Sequence, residues 1–547
     1  MRTLPDKDIW LVLGAGISRS APSNIPLWSE MKDDTIASIL EVLVDANSRQ
    51  WHNTDTDNVF RFDQTSSELQ RAISMPEVVL ESLCNVYLEP AVKRQLTDAI
   101  NPAHDGPRPN QCHRMVAKLI SLGKVKGVIT PNFDRLLEEA LEEAHIPHEV
   151  ILPSASHFAS TALPVYKAHG SLEDPDTLAF LRTAYMKGFP GPFVDYLSKS
   201  IRNSLIIICG YSGNDVDLFP LVRKVITDRN AANEAVVIDP LDLSERSPYS
   251  ELKNDLRFIR ATGTEFFTRT LDEPLSREGP ISDRRNCTLL PHKAPFECAL
   301  FVADALLSTR QYNRAYRYFY LADDIASDED NRCGRGIATL GRSLCFFGAR
   351  QNQQAVDEME TGRAMLEPID LYDIESPLGG IGEGLRITSW LTRAKSLLTL
   401  TALAVASNTD DLAAKRSLAA IARWHSWEIY MGERADWYSQ TQDAITSRAS
   451  AVNRLFKAYE AFLHGNGDYE KLFSDCLVFC RNTGCIPELL ACLSVLKAIQ
   501  PSQRTEYERK FTEAADATSS DIQEAVRALF EYPGDEFTFT EKQWRWS

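Results

Sequence analysis

Ile9-Trp10-Leu11-Val12-Leu13-Gly14-Ala15-Gly16-Ile17-Ser18 is the stretch on which the fold turns. Five apolar, strand-favouring residues stop at two glycines and pass into small and polar residues, the pattern of a buried strand entering a tight turn. Glycine at 14 and 16 lets the backbone turn sharply and lets a pyrophosphate approach main-chain N–H groups. The dinucleotide fingerprint asks for a third glycine, and Arg19 stands there instead. Taken alone the stretch reads equally as an ordinary strand-to-helix turn, so the residues downstream decide.

Up to about residue 265, short β-branched runs alternate with helical segments. Candidate strands fall at Ile9–Leu13, Val125–Thr130, 165–168, Leu205–Cys209, 235–239 and 258–261. This alternation predicts an α/β domain, a Rossmann-like parallel sheet covered on both faces. Ligands on such sheets bind beyond the carboxyl ends of the strands. Four strands run there into polar or glycine-containing turns: Gly14-Ala15-Gly16, Pro131-Asn132-Phe133-Asp134, His169-Gly170 and Gly210-Tyr211-Ser212-Gly213. Their convergence predicts one shared site.

The 547 residues exceed a single core and predict two or more domains. Residues 1–270 are expected to form the α/β domain, with a helical insertion at about 31–111 and a loop within it at 53–64. Residues 271–295 are rich in Arg, Ser, Pro and acids and read as a linker. From 296 to 547 the chain reads as helix: 296–309 with 312–325, 334–347 with 353–366, then 384–406, 411–430, 435–463, 469–481, 487–499 and 521–530. The turns at Thr309-Arg310-Gln311-Tyr312-Asn313 and Gly465-Asn466-Gly467-Asp468-Tyr469 suggest an irregular tetratricopeptide-like repeat with a concave protein-binding face, a plain helical bundle being the alternative.

Hydrophobic residues at 44% and charged residues at 25% are those of a globular chain. The net charge of −17 repels phosphates and argues against nucleic acid as a direct ligand. No apolar run is long enough to span a bilayer, and the acids and proline of the first eight residues are wrong for a signal peptide, so a cytoplasmic protein is expected. Eleven cysteines are scattered without a CxxC pair. Cys476, Cys480, Cys485 and Cys492 lie in a helical region with no paired motif or nearby histidine, and are expected to pack in a core rather than to bind zinc.

Taken in order, the N-terminal motifs resemble the sirtuin superfamily over roughly the first half of the chain. Gly14-Ala15-Gly16-Ile17-Ser18 resembles its nucleotide loop, and Ile25-Pro26-Leu27-Trp28 its following Ile-Pro-x-Trp turn, with Asn24 where glycine is usual. His113 matches a histidine on the helix that feeds Val128-Ile129-Thr130-Pro131-Asn132-Phe133-Asp134, and Lys167-Ala168-His169-Gly170 resembles the catalytic His-Gly. Gly210-Tyr211-Ser212-Gly213-Asn214-Asp215 resembles the Gly-Tyr-Ser-x-x-Asp variant of bacterial anti-phage sirtuin-like NADases. Three departures stand out. Pro131 removes a backbone donor beside Asn132, Arg19 follows the glycine loop, and residues 171–208 contain no cysteine where deacylating sirtuins carry a four-cysteine zinc module.

The resemblance implies NAD as substrate, no zinc, and an NAD glycohydrolase regulated by its helical region. Cleaving the nicotinamide–ribose bond passes through an oxocarbenium-like centre, and nicotinamide leaves neutral, so no general acid is required. His169 is then the base, Asn132 orients a water or ribose hydroxyl, and Asp134 stabilises developing charge or binds the nicotinamide-side ribose. Gly14, Ala15, Gly16, Ser18, Thr130, Gly210, Ser212 and Asp239 are the expected NAD-binding residues. Expected partners are a phage protein or defence-system component acting through the C-terminal helices, and further copies of the chain. Two other readings stand beside it: a deacylase or ADP-ribosyltransferase, and a non-catalytic nucleotide-sensing scaffold. Residue by residue there are plainer roles. Asn132 could cap a helix at 133–144 with Asp134 as its first-turn acid, Asp215 and Asp217 could cap the helix after them, and His113 could pack beneath the site.

Overall fold

In a computed structural model, seven parallel strands form one sheet in the order β3-β4-β2-β1-β5-β6-β7. They are β1 Ile9–Leu13, β2 Val125–Thr130, β3 His148–Ile151, β4 Leu163–Lys167, β5 Leu205–Cys209, β6 Glu234–Asp239 and β7 Arg257–Arg260. The structure describes residues 7–50, 69–366 and 454–516 with short gaps inside these ranges, among them 103–105, 182–188, 242–248 and 276–286, plus Arg386, Ile387, Trp390 and Leu391. The expected loop at 53–64 and helices at 411–430 and 521–530 lie outside the described residues, as do most of those at 384–406 and 435–463.

The central strands read as continuous apolar runs because both faces are covered. Trp10, Val12, Ile206, Ile208 and Val237 pack on one side with Phe193 and Leu197 of the helix Gly191–Ser200 and with Leu218, Val222 and Val225 of the helix Leu218–Ile226. Ile9, Leu11, Leu13, Val128 and Ile207 pack on the other with Val116 and Leu119 of Gln111–Ser121, Leu137 and Leu141 of Leu136–Glu143, and Phe267 of Gly263–Leu271. The edge strand β3 was not expected. Its four residues, His-Glu-Val-Ile, are half-buried at three positions and carry no apolar run to betray them.

Two compact units divide the chain: residues 1–35 with 93–289, and residues 36–92 with 290–547. The insertion expected within the first domain therefore contributes to both units. In the first unit, the end of the expected linker is tied down: the Cys287 N–H donates to Asp34 Oδ2 (3.0 Å) and the Leu289 N–H to Thr35 Oγ1 (3.0 Å).

In the second unit, four helices follow one another: Pro295–Ser308, Tyr312–Asp328, Arg332–Gly348 and Asn352–Leu366. The first two gaps close alike. The Arg310 and Gln311 N–H groups donate to Leu307 O and Leu306 O, and those of Asp330 and Asn331 to Ser327 O and Ala326 O. The Gln351 N–H repeats the longer bond, to Phe346 O. These are Schellman turns, with Arg310 and Asp330 in the left-handed region at φ +60° and +53°. Further on, Cys476, Cys480 and Cys492 are buried, and the first two sulfurs lie 3.9 Å apart. Cys485 lies outside the described residues.

Candidate active site

The chain winds outward from β1 through β2 to β4 and β3, then returns to the other side of β1 with β5. That reversal opens a crevice at the carboxyl ends, where α/β sheets take ligands. The turns after β1, β2, β4 and β5 meet there pairwise.

The turn after β1 is joined to the turn after β5 by backbone. The Gly14 N–H donates to Cys209 O (3.0 Å) and the Gly16 N–H to Gly210 O (2.9 Å). A Cβ on Gly14 would lie 2.4 Å from Gly210 O, and one on Gly210, at φ +63°, would lie 2.7 Å from Ile17 N. The two N–H groups that the sequence offers to a phosphate are thus committed to the neighbouring turn, and these glycines first serve the close approach of two backbones. Arg19, in the third glycine's place, pairs with Glu30 (2.6 Å), and Asn24 takes φ +48° as an asparagine can.

The turn after β1 meets the turn after β2 through Ser18. Asn110 caps the helix Gln111–Ser121, accepting from the His113 N–H (3.2 Å) while its own N–H donates to His113 Nδ1 (3.2 Å). Nδ1 therefore holds the lone pair, and Nε2–H donates to Ser18 Oγ (3.2 Å). The Ser18 hydroxyl in turn donates to Asp134 Oδ2 (3.1 Å). Ser, His and Asp are all present, yet the protons run the wrong way for a nucleophilic serine, because His113 gives a proton to Ser18 instead of taking one. Burial pulls the His113 pKa from 6.5 to about 3, so the ring is neutral and structural. Burial raises the Asp134 pKa, opposed by Lys167 and by the Leu136 N–H, which donates to Oδ1 (3.1 Å).

Lys167, the last residue of β4, locks the turn after β2 in place. Its fully buried ammonium donates to Phe133 O (3.3 Å), Asp134 O (2.5 Å) and Glu138 Oε1 (2.7 Å), which uses all three of its protons. The Leu172 N–H donates to Phe133 O (3.1 Å), and the Ala168 N–H to Thr130 O (2.8 Å). Trp28 meets the Phe133 ring edge-on at 5.7 Å. Neither Lys167 nor Glu138 was singled out from sequence. The available signal was a lysine closing an apolar strand, where burial demands a partner.

The helix after β2 starts at Leu136 with Arg135 as its N-cap, three residues later than expected. Asn132 caps nothing. Its N–H donates to Thr130 Oγ1 (3.1 Å), while its side-chain Oδ1 is buried without a hydrogen-bond partner. Ser171 Oγ, two residues after His169, is buried and unpartnered as well. Both orphans follow strands at the crevice, and such atoms call for a polar ligand or water.

His169 closes the ring of contacts. It is 3% exposed, and its Nε2 lies 3.1 Å from Asp217 Oδ1. Asp217 also caps the helix Leu218–Ile226, its Oδ1 accepting from the Leu218 N–H (2.7 Å), so the expected capping role holds and a second role is added. Because β2 and β1 stand between β4 and β5, this bond reaches over two strands, about 14 Å of sheet. Burial raises the Asp215 pKa; His169 and the Tyr211 hydroxyl pull it down, and Asp217 adds to the rise. Ser212 is exposed, and Asp239 Oδ1 accepts from the Leu241 N–H (2.7 Å).

A family model for the SIR2-like domain matches residues 126–259, a span that includes Asn132, His169 and Asp217. Solved structures similar to this chain include Sir2 bound to an inhibitor, 2'-O-acetyl-ADP-ribose and a deacetylated p53 peptide, at 15% identity over 48% of this chain and 92% of that one, with a TM-score of 0.25. A serine-to-alanine variant of a Sir2 homologue with ADP-ribose is 17% identical over 50% and 96% of the two chains, with a TM-score of 0.26. No curated protein matches. The SIR2-like span begins inside β2 and ends inside β7, so it leaves out the β1 turn that completes the ring.

Among the described residues, no group of three or more His, Cys, Asp or Glu is arranged to hold a metal ion. No described helix is long and apolar enough to cross a membrane. A cavity of about 380 Å³ lies elsewhere, lined by Val125 and Leu163 at the amino ends of β2 and β4 and by Trp10, Tyr166 and Tyr196. None of the crevice residues lines it.

Proposed function

We propose that the α/β unit is an NAD glycohydrolase, cleaving NAD to nicotinamide and ADP-ribose. The observation that carries this reading is the pairing, on one crevice, of a buried imidazole held by a carboxylate with a carboxamide whose oxygen lacks a protein partner. The SIR2-like match across both residues supports NAD as the substrate. The orphaned Asn132 Oδ1 and Ser171 Oγ fit a ligand rich in hydroxyls.

In this reading water adds to the ribose carbon as the carbon–nitrogen bond breaks. The electron pair stays on the nicotinamide nitrogen and neutralises it, and the proton from water goes to His169. Asn132 orients the nucleophile through its amide. Asp134, anchored through both oxygens, contributes a fixed negative field to the developing cation. Gly14, Ala15, Gly16, Ser18, Thr130, Gly210, Ser212 and Asp239 remain the proposed NAD-binding set, the glycines through shape more than through their N–H groups. Hydrolysis is favoured over deacylation because residues 171–208 supply no cysteine for a zinc-supported acyl-lysine groove.

The helical unit is proposed to hold the enzyme off until a phage protein or defence-system partner binds, since unregulated NAD loss kills the host. The motif resemblance to anti-phage NADases supports this. The deciding experiment measures NAD and nicotinamide in cells expressing wild type, Asn132→Ala or His169→Ala, with and without phage. Depletion in infected wild-type cells alone is expected. Background nicotinamide release under every infection that the protein resists overturns the enzyme reading.

A further inference from the structure

The reading of His169 as the base leaves open which of its nitrogens holds the lone pair. We propose that Asp217 is a positioning residue that binds Nε2–H and so presents Nδ1 as the basic nitrogen. The geometry is specific. Asp217 Oδ1 already accepts from the Leu218 N–H at 2.7 Å, so the carboxylate is pinned to the first turn of its helix before it meets the ring. A carboxylate oxygen held by a backbone N–H can only accept from a second partner, which requires hydrogen on the nitrogen 3.1 Å away. Both side chains are almost fully buried, at 3% and 5% exposure, so the pair keeps its orientation without competition from water.

Asp217 thereby joins three tasks: it starts a helix, spans the crevice from the β5 side, and fixes the tautomer of a residue on the β4 side. The proton taken from the attacking water would rest on Nδ1 and pass to solvent, while the Asp217 hydrogen bond stays in place and steadies the imidazolium. Asp217 touches neither substrate nor the reacting atoms. Its effect runs through His169.

The test uses the full chain. Asp217→Asn keeps a good helix cap and removes the obligate acceptor; Asp217→Ala removes both. Nitrogen-15 spectra of histidine-labelled protein, with the His169 signals assigned by their loss in His169→Gln, are expected to show Nε2–H in the wild type and a mixture of tautomers in Asp217→Asn. With NAD as substrate and extract of phage-infected cells as the trigger, kcat is expected to fall by about 10²–10⁴-fold in Asp217→Asn while KM moves by less than about threefold. Asp217→Ala is expected to match that kcat and also to melt earlier. An Nδ1–H tautomer in the wild type, or an unchanged kcat in Asp217→Asn, overturns the positioning role. Wild type that turns over no NAD even in extracts of the phage-infected cells it protects, yet shows Nε2–H that is lost in Asp217→Asn, supports the pairing while overturning only the hydrolase reading.

Discussion

Lys167 carries an ammonium into the interior and meets three oxygens there. Removing one member of such a buried pair strands the other charge, which costs about 3–5 kcal/mol, whereas replacing both by apolar residues is close to neutral. Lys167→Met is therefore expected to lower the urea midpoint sharply, and adding Glu138→Leu to recover most of it. His113 gives a pH signature of its own. Its pKa is about 3 folded against an ordinary 6.5, so the unfolded chain binds a proton that the folded chain refuses. Stability from this group is complete above about pH 6.5 and falls by about 1.4 kcal/mol per unit as the pH drops toward 3. Asp134, with its pKa raised, works in the opposite sense. The measurement is thus a difference: between pH 7.5 and 5, wild type should lose about 2 kcal/mol more than His113→Asn in chemical denaturation. The residue types were legible from the sequence as motif positions. Which of them hold the site and which would act on a ligand was not, because hydrogen-bond polarity depends on the partners each side chain meets.

At the scale of elements, the β1 and β5 turns pack so closely that side chains are excluded. Gly14→Ala places a methyl 2.4 Å from a backbone oxygen that cannot step aside. It is expected to cost about 1–3 kcal/mol, read as a lower thermal midpoint. Gly191→Ala, which meets nothing within 4 Å, should stay within about 0.5 kcal/mol of wild type. β1, β2 and β5 were readable from the chain to the residue, since strands buried on both faces leave continuous apolar runs. The edge strand β3 escaped because it is half-buried and short, and the helix after β2 was started too early. Asn132 and Asp134 read as a cap and a first-turn acid, but Lys167 and Ser18 hold Phe133 and Asp134 in a turn ahead of the helix.

At the scale of the molecule, the helical unit depends on small residues where its helices cross. A Cβ on Gly341 would lie 2.1 Å from the buried Phe319 ring. Alanine ordinarily gains about 1 kcal/mol over glycine inside a helix, but displacing a packed ring costs about 1–3 kcal/mol or more. Gly341→Ala is therefore expected to lower the helical unit's resistance to proteolysis in the full chain, while Gly348→Ala, against the Tyr312 ring, acts in the same direction.

The amino-acid sequence by itself determined the class of the fold, the ends of β1, β2 and β5 and the four turns that carry polar residues, because burial on one or two faces is written in apolar periodicity. Only the tertiary structure decided how those turns are joined: backbone to backbone between β1 and β5, serine to aspartate between β1 and β2, lysine between β2 and β4, and histidine to aspartate across the crevice. Those contacts join residues far apart in the chain. No local pattern encodes them, since each depends on which strand lies beside which and on where a buried charge or lone pair finds its partner.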